Sequence, residues 1–159
     1  MKLRGFKACM TGLVLGLTMV CSVGCGGGKS AAVEAYEGKL LEFKTSVEGI
    51  GEKIDAINAQ SDDAVNELLF YVDAINNDFQ ALLDLTVPEG YESITRLNEK
   101  AANYMSSAAE YFHSAYGGDA FDENAYATAN TYYAKAFEMV NYTGQVLQGA
   151  NISFASDEE

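Results

Sequence analysis

Four segments of the chain carry apolar residues at helical spacing. In the first, apolar residues recur every three or four positions from Val33 to Ile57, with polar or charged residues between them. This spacing places the apolar side chains along one side of an α-helix. The pattern repeats from Val65 to Leu82, from Ile94 to Ala115 and from Ala125 to Val146. It predicts an all-α protein.

Short polar connections separate the first three segments. Ser61, followed by two acidic residues, predicts the start of the second helix, because a hydroxyl cap and negative charge both stabilise a helix N-terminus. Leu83 would widen the apolar side of that helix. Thr86 and Glu89 have capping-box spacing for the third helix, with Pro88 in its first turn.

Glycine and acidic residues mark the remaining helix ends. The pair Gly117–Gly118 predicts the end of the third helix, Asp119 predicts the cap of the fourth, and Gly149 predicts its end. Long amphipathic helices joined by a few residues pack as antiparallel neighbours. We therefore predict an antiparallel up-down-up-down four-helix bundle over residues 33–149, followed by an acidic C-terminal tail over 150–159.

The start of the chain differs from the rest in charge and in apolar spacing. Lys2, Arg4 and Lys7 precede a run of apolar and small residues over 8–23. That run is short for a transmembrane helix, which takes roughly 20 apolar residues. A positive start, a short apolar core and a small-residue exit predict an export signal. The alternatives are an uncleaved N-terminal helix and a plain secretory signal that is cut elsewhere.

The sequence Ser-Val-Gly-Cys at 22–25, followed by three glycines, resembles the lipobox of bacterial lipoproteins. The two residues before the cysteine fit that pattern, whereas Ser22 stands where the family usually has leucine or another aliphatic residue. The resemblance implies that residues 1–24 are a signal peptide, and that Cys25 is acylated with palmitate-type chains. Residues 25–32 would then form a lipidated, flexible leader, and the protein would lie on the extracytoplasmic face of the cell membrane.

A second, broader resemblance covers the later part of the chain. The joint Leu-Thr-Val-Pro-x-x-Tyr at 85–91 and the tyrosine- and alanine-rich helices after it are similar to small helical lipoproteins of Gram-positive bacteria. The similarity implies the same helical fold and membrane location, and it implies no known activity.

Loss of the signal peptide would change the charge of the protein. The full chain has 10 basic and 23 acidic residues, and three of the basic ones precede residue 25. The mature chain would therefore carry 7 basic and 23 acidic groups, a net charge of −16. Such a surface repels nucleic acid, so we expect no nucleic-acid partner. Cys25 would be the one mature cysteine, so we expect no disulfide.

No residue set in the chain predicts catalysis. Glu110 and His113 have the Glu-x-x-His spacing of di-iron bundle proteins, but those proteins need the motif twice and His113 is the only histidine. The two residues also fall outside the apolar stripe of their helix. The oxygen-rich loop over 119–124 would suit a calcium ion, but it lacks the EF-hand spacing and helix capping explains its acids without a metal. We predict no enzyme, no metal and no cofactor, with cation binding at 119–124 as a lesser hypothesis.

Ten tyrosines are the most distinctive side chains of the later helices. Tyr104, Tyr111, Tyr132 and Tyr133 are the candidate ligand-binding residues, because aromatic rings between two helices would line a pocket. Tyrosines at helical spacing more often form a core with hydroxyls at its rim. We expect a non-enzymatic, membrane-anchored bundle that binds a cell-envelope protein. The alternative is a small-molecule-binding lipoprotein with a tyrosine-rich pocket between the third and fourth helices.

Overall fold

The computed structural model describes residues 30–118 and 120–150. This part of the chain forms four α-helices that pack against one another, and a short 3-10 helix over Leu82–Asp84. The α-helices are α1 (Ala31–Asp55), α2 (Ala64–Ala81), α3 (Ser93–Tyr116) and α4 (Glu123–Leu147). The prediction of an all-α, four-helix protein is confirmed. The predicted signal peptide with Cys25, the Asp119 cap and the tail from 151 onward lie outside the described residues.

α1 follows the predicted apolar pattern closely. The Ser30 hydroxyl caps it by accepting a hydrogen bond from the backbone N–H of Val33 at 3.3 Å. This satisfies one of the N–H groups that every helix start leaves unbonded. Seven of the predicted apolar residues are buried: Val33, Tyr36, Leu40, Phe43, Val47, Ile50 and Ile54. Ile57 lies beyond the helix end and is partly buried.

α2 differs from the prediction at both ends. It begins at Ala64, because the Ser61 hydroxyl accepts a hydrogen bond from the N–H of Asp63 at 3.3 Å. A serine used in such a local turn no longer caps the helix. At the other end the chain tightens to three residues per turn after Ala81, and Leu83 is 47% exposed. Leu83 therefore does not widen the apolar side as predicted.

The capping box predicted over 86–89 does not form. α3 begins only at Ser93, so Pro88 lies in the connection and not in the first helical turn. Gly90 has φ +86°, a conformation that glycine adopts without steric cost, and the turn around it delays the helix start. The Glu92 carboxylate accepts a hydrogen bond from the N–H of Gly90 at 3.0 Å. Backbone N–H groups of Glu92 and Gly90 lower the pKa of the Glu92 carboxyl.

The core side of α3 is wider than the predicted stripe and extends toward the next residue at each turn. The predicted residues Ile94, Leu97, Ala101, Ala108 and Ala115 are buried. Tyr104 is only partly buried, and Tyr111 is 39% exposed. Asn98, Met105 and Phe112 take the buried places instead. Because successive helical residues point about 100° apart, a core side centred between the predicted positions and the next ones leaves both tyrosines at its edge.

α4 begins at a well-formed cap, although not the predicted one. The carboxylate of Asp122 accepts hydrogen bonds from the N–H groups of Asn124 and Ala125, at 2.9 and 3.0 Å. α4 ends at Leu147, and Gly149 has φ +88° just beyond it, as the glycine there predicted. Buried alanines line both α3 and α4, and these two helices make the most extensive helix–helix contact. Methyl-sized side chains let the two backbones approach closely.

Three phenylalanines join α1, α2 and α4 in the core. The ring of Phe79 is 5.0 Å from that of Phe43 and 5.0 Å from that of Phe137, centroid to centroid. Both pairs are edge-to-face, at 88° and 84°. Each such pair stabilises the fold by about 0.5–1.5 kcal/mol beyond the area that it buries.

One buried polar group ties three parts of the bundle together. The Asn98 side chain donates hydrogen bonds to the Tyr36 hydroxyl at 2.8 Å and to the carbonyl of Leu82 at 2.9 Å. It thereby links α3, α1 and the 3-10 helix. Burial raises the pKa of the Tyr36 phenol, and the hydrogen bond from Asn98 offsets part of that effect.

Polar contacts between α2 and α3 give the relative direction of these two helices. Asp73 contacts His113 at 2.8 Å, Asn76 accepts from Ser106 at 3.2 Å, and Gln80 donates to Ser106 at 2.9 Å. Residue numbers fall along α2 as they rise along α3, so this pair is antiparallel. The up-down-up-down order of all four helices remains a prediction.

Candidate functional site

Three tyrosines form a row of contacting rings along the seam between α3 and α4, which we call the tyrosine row. The Tyr132 ring from α4 lies 5.7 Å from the Tyr111 ring at 12° to its plane, and 6.1 Å from the Tyr104 ring at 33°. The first pair is stacked and the second is tilted, and aromatic pairs at such distances stabilise a fold by about 0.5–1.5 kcal/mol each. The row is therefore a preformed arrangement.

A cation lies against the tyrosine row. The ammonium nitrogen of Lys135 is 5.5 Å from the centre of the Tyr104 ring and 5.8 Å from that of Tyr132. A lysine at this distance from an aromatic face gains about 0.5–1 kcal/mol at an exposed site. Lys135 is exposed, and Tyr111 is 39% exposed, so the row presents aromatic surface and one positive charge to solvent.

Tyr133 does not join the row. As the residue next to Tyr132 it points to another side of α4, where its ring lies 4.6 Å from that of Phe137. It is partly buried against the core, and burial raises the pKa of its phenol above the ordinary value. The structure therefore brings together three of the four predicted tyrosines, at the edge of the core, and places the fourth against the core.

A cavity of about 240 Å³ opens elsewhere, between α1 and α2. Its apolar surface comes from Phe43, Leu82 and Leu85, and none of the four candidate tyrosines lines it. Lys39 and Glu42 lie at its polar side and form an ion pair at 2.7 Å, with both side chains more than half exposed.

Asp78 lines the same cavity from α2. Its Oδ2 atom is buried and has no hydrogen-bond partner among the described residues. Leaving a buried acceptor without a donor costs about 1–3 kcal/mol, and more for a charged group. The sequence carries a signal for this residue. Asp78 is three residues after Ile75 and four before Leu82, so an acid occupies a position on the apolar side of α2.

The other candidate residues have surface roles. Glu110 and His113 are exposed on α3, and the His113 imidazole pairs with Asp73 of α2 at 2.8 Å. Asp122, from the oxygen-rich loop, is engaged as the α4 cap. Within the described residues, no group of three or more His, Cys, Asp or Glu side chains could hold a metal ion.

Hydropathy and comparison with known proteins complete the description of the chain. No helix over residues 30–118 and 120–150 is long and apolar enough to cross a membrane. In comparisons of the chain with known protein families, with curated proteins and with solved structures, nothing matched.

Proposed function

We propose that this protein is a lipid-anchored, non-catalytic helical bundle that binds a protein partner of the cell envelope through the tyrosine row. The observation that carries the proposal is the row of contacting rings of Tyr104, Tyr132 and Tyr111 at the edge of the core, with Lys135 against it.

A preordered aromatic row that reaches the surface at Tyr111 suits protein recognition. Tyrosine and tryptophan are enriched at interfaces, because a rigid ring gives a large contact area while few torsions have to be fixed on binding. Here ring–ring contacts already restrain the three side chains, so a partner would meet a surface that loses little conformational freedom. The arrangement of the rings in a row favours an extended contact with a protein rather than an enclosed pocket for a small molecule.

The charge distribution favours the same face. Residues 30–92, which include α1 and α2, hold fourteen acidic and three basic residues. Residues 93–150, which include α3 and α4, hold six acidic and three basic residues. A partner approaching the tyrosine row therefore meets much weaker negative charge than one approaching α1 and α2. With Lys135 on the row, we expect the partner surface to be apolar with a carboxylate opposite that lysine.

An anchor at Cys25 would leave the tyrosine row accessible. Cys25 precedes Ser30 by five residues, which span at most about 18 Å. Asn98 contacts Tyr36, so this part of α3 lies beside the first half of α1. Tyr111 comes thirteen residues later, about 20 Å further along α3. Asn98 joins Tyr36 to Leu82, and Phe43 contacts Phe79, so α1 is antiparallel to α2 and runs in the same direction as α3. The Tyr111 end of the row would thus lie away from the anchored end.

Site-specific photocrosslinking tests the partner surface. A photoreactive phenylalanine analogue is placed at Tyr111 or, as a matched control, at Phe70, which is more exposed at 67% but lies on α2. In intact cells, position 111 should give one discrete protein adduct that position 70 does not give. Lys135→Glu should reduce that adduct about fivefold or more, because it reverses the charge at the contact. Equal adducts from both positions, or none from position 111, would contradict the proposal.

Membrane attachment needs a separate test. Cys25→Ala should release the protein into the medium, because it removes the atom that carries the acyl chains. Cys21→Ala, in the predicted signal peptide, is the matched control and should leave the protein with the membranes. If the Cys25→Ala protein also stays in the membrane fraction, attachment by a lipid at Cys25 is wrong.

A further inference from the structure

The basic residues of α3 and α4 gather along the same seam as the tyrosine row. Residues 93–150 hold three lysine or arginine side chains, at positions 96, 100 and 135. Lys100 is four residues before Tyr104 and Arg96 is four before Lys100, so these side chains are successive neighbours on one side of α3. Lys135 of α4 lies 5.5 Å from the centre of the Tyr104 ring. Arg96, Lys100 and Lys135 therefore continue the row, and we call them the basic stripe.

The acidic residues nearest to the basic stripe point to other sides of their helices. Glu110 is one turn from His113, which pairs with α2. Glu99 is two turns from Ser106, which also contacts α2. Glu138 of α4 lies within one turn of the stripe, but it accepts a hydrogen bond from a tyrosine hydroxyl at 2.7 Å. The stripe is therefore a local positive surface on a chain whose formal net charge is −13.

The charge and the aromatic rings of this seam select one kind of partner surface. We infer that the envelope partner contributes an extended acidic segment, whose carboxylates pair with the basic stripe and whose apolar end covers the tyrosine row. This chemistry rests on the proposed function, because it names what the partner presents at the same row. Arginine and lysine offer a carboxylate both opposite charge and hydrogen-bond donors. Residues 30–92, with fourteen acidic and three basic side chains, repel the same segment from the other half of the bundle.

The spacing of the three cations matches alternate residues of an extended segment. They stand at the levels of positions 96, 100 and 104 of α3, because Lys135 lies over the Tyr104 ring. Four residues of an α-helix rise about 6 Å. Side chains on one face of an extended segment repeat every two residues, which is about 6.6 Å. Three acids at alternate positions therefore meet the three cations one to one, and about seven residues span the seam from Arg96 to Tyr111.

A synthetic peptide and the full chain test the acidic segment. The probe is a peptide of about eight residues with blocked ends, which has tryptophan at one end, glutamate at three alternate positions toward the other, and serine elsewhere. The chain contains no tryptophan, so the anisotropy of tryptophan fluorescence reports the peptide alone. We expect saturable binding, and binding at least about fivefold weaker when the three glutamates are replaced by glutamines, because three exposed ion pairs are lost. Equal binding of the two peptides would overturn the inference.

Two variants connect that binding to the basic stripe. Arg96→Gln removes an exposed charge from the stripe and should weaken binding of the glutamate peptide about threefold, while binding of the glutamine peptide stays unchanged. Lys53→Gln removes an exposed charge from α1 and is the matched control, with a change below about 1.5-fold. Helical circular dichroism identifies any variant that fails to fold. Equal affinities of the two variants for the glutamate peptide would overturn the assignment to the stripe.

The chain itself carries an acidic segment, Asp157, Glu158 and Glu159, outside the described residues. Changing these three acids to amides in the full chain, by Asp157→Asn, Glu158→Gln and Glu159→Gln, should leave the affinity for the glutamate peptide within about twofold. Binding that becomes about fivefold tighter or more would show that the chain's own acids occupy the stripe, which overturns its assignment to a separate partner.

Photocrosslinking in cells separates the acidic segment from the proposed function. With the photoreactive analogue at position 111, Arg96→Gln should reduce the protein adduct about threefold, because Arg96 meets the acidic end of the partner segment. A discrete adduct that Arg96→Gln leaves unchanged overturns the acidic segment and leaves the partner contact at the tyrosine row intact. Absence of any adduct from position 111 contradicts the partner contact, and the acidic segment with it.

Discussion

Asn98 gives the sharpest test of how this bundle is held together. It is 4% exposed in a core that is otherwise almost entirely apolar, and its side chain donates to the Tyr36 hydroxyl and to the Leu82 carbonyl. Asn98→Leu keeps a side chain of similar size and removes both donors. Two buried acceptors then lose their partners, while water cannot replace the lost bonds.

The magnitude follows from those two acceptors. A buried acceptor left unsatisfied costs about 1–3 kcal/mol, and the added apolar surface of leucine returns part of that. We expect Asn98→Leu to lower the free energy of unfolding by about 2–4 kcal/mol. Tyr36→Phe leaves the bond from Asn98 to Leu82 in place and should cost about 1 kcal/mol. In the double variant, the hydroxyl that Asn98 would leave without a donor is absent. The double variant should therefore lose about 1 kcal/mol less free energy of unfolding than the two single variants lose together.

Urea unfolding at neutral pH, followed by helical circular dichroism, measures these changes. For Asn98→Leu the midpoint should fall by roughly 1–2 M, with an unchanged slope. Asn103→Leu is the matched control, because Asn103 is exposed on the same helix, and its effect should stay within about 0.5 kcal/mol. An Asn98→Leu protein as stable as the wild type, or strictly additive single changes, would refute the reasoning.

Three further predictions concern ionisation, core packing and capping. Burial raises the pKa of Tyr133, so its neutral form contributes stability that is present below the unfolded pKa near 10 and is lost as pH rises further. In alkaline unfolding, Tyr133→Phe should therefore make the decrease in the free energy of unfolding above pH 10 less steep. An effect no larger than that of Tyr111→Phe would contradict this. Phe79→Ala should lower the free energy of unfolding in urea by about 3–5 kcal/mol, whereas the exposed control Phe70→Ala should lower it by less than about 1 kcal/mol. Asp122→Ala should lower the free energy of thermal unfolding by about 1 kcal/mol, because two N–H groups at the start of α4 lose their acceptor. An unchanged melting temperature would argue against that cap.

The helical pattern was predictable because it depends on local spacing. The apolar residues of α1 keep a regular interval from Val33 to Ile54, and all seven are buried as expected. Helix starts were less predictable. Ser61 and Asp119 are good capping residues by type, yet α2 begins at Ala64 and Asp122 caps α4. Several neighbouring residues compete for each cap, and the turn geometry decides among them.

The candidate site was only partly predictable for a related reason. Tyr104, Tyr111 and Tyr132 occupy positions between the apolar and the polar side of their helices. A rotation of about one residue decides whether such a ring enters the core or stays at the edge. That rotation depends on how the partner helix packs, which spacing along one helix does not reveal. The same holds for Asp78, whose buried oxygen became evident only with α1 packed beside it.

The sequence by itself determined the all-α class, the number of helices and most of their apolar sides, because these follow from residue spacing over a few turns. It also determined the excess of acidic residues and its concentration before residue 93. Only the tertiary structure decided that Asn98 bridges Tyr36 and Leu82, that three tyrosine rings meet beside Lys135, and that a cavity opens between α1 and α2. Each of these features joins residues from different helices, so each depends on helix rotation and spacing, which local pattern does not set.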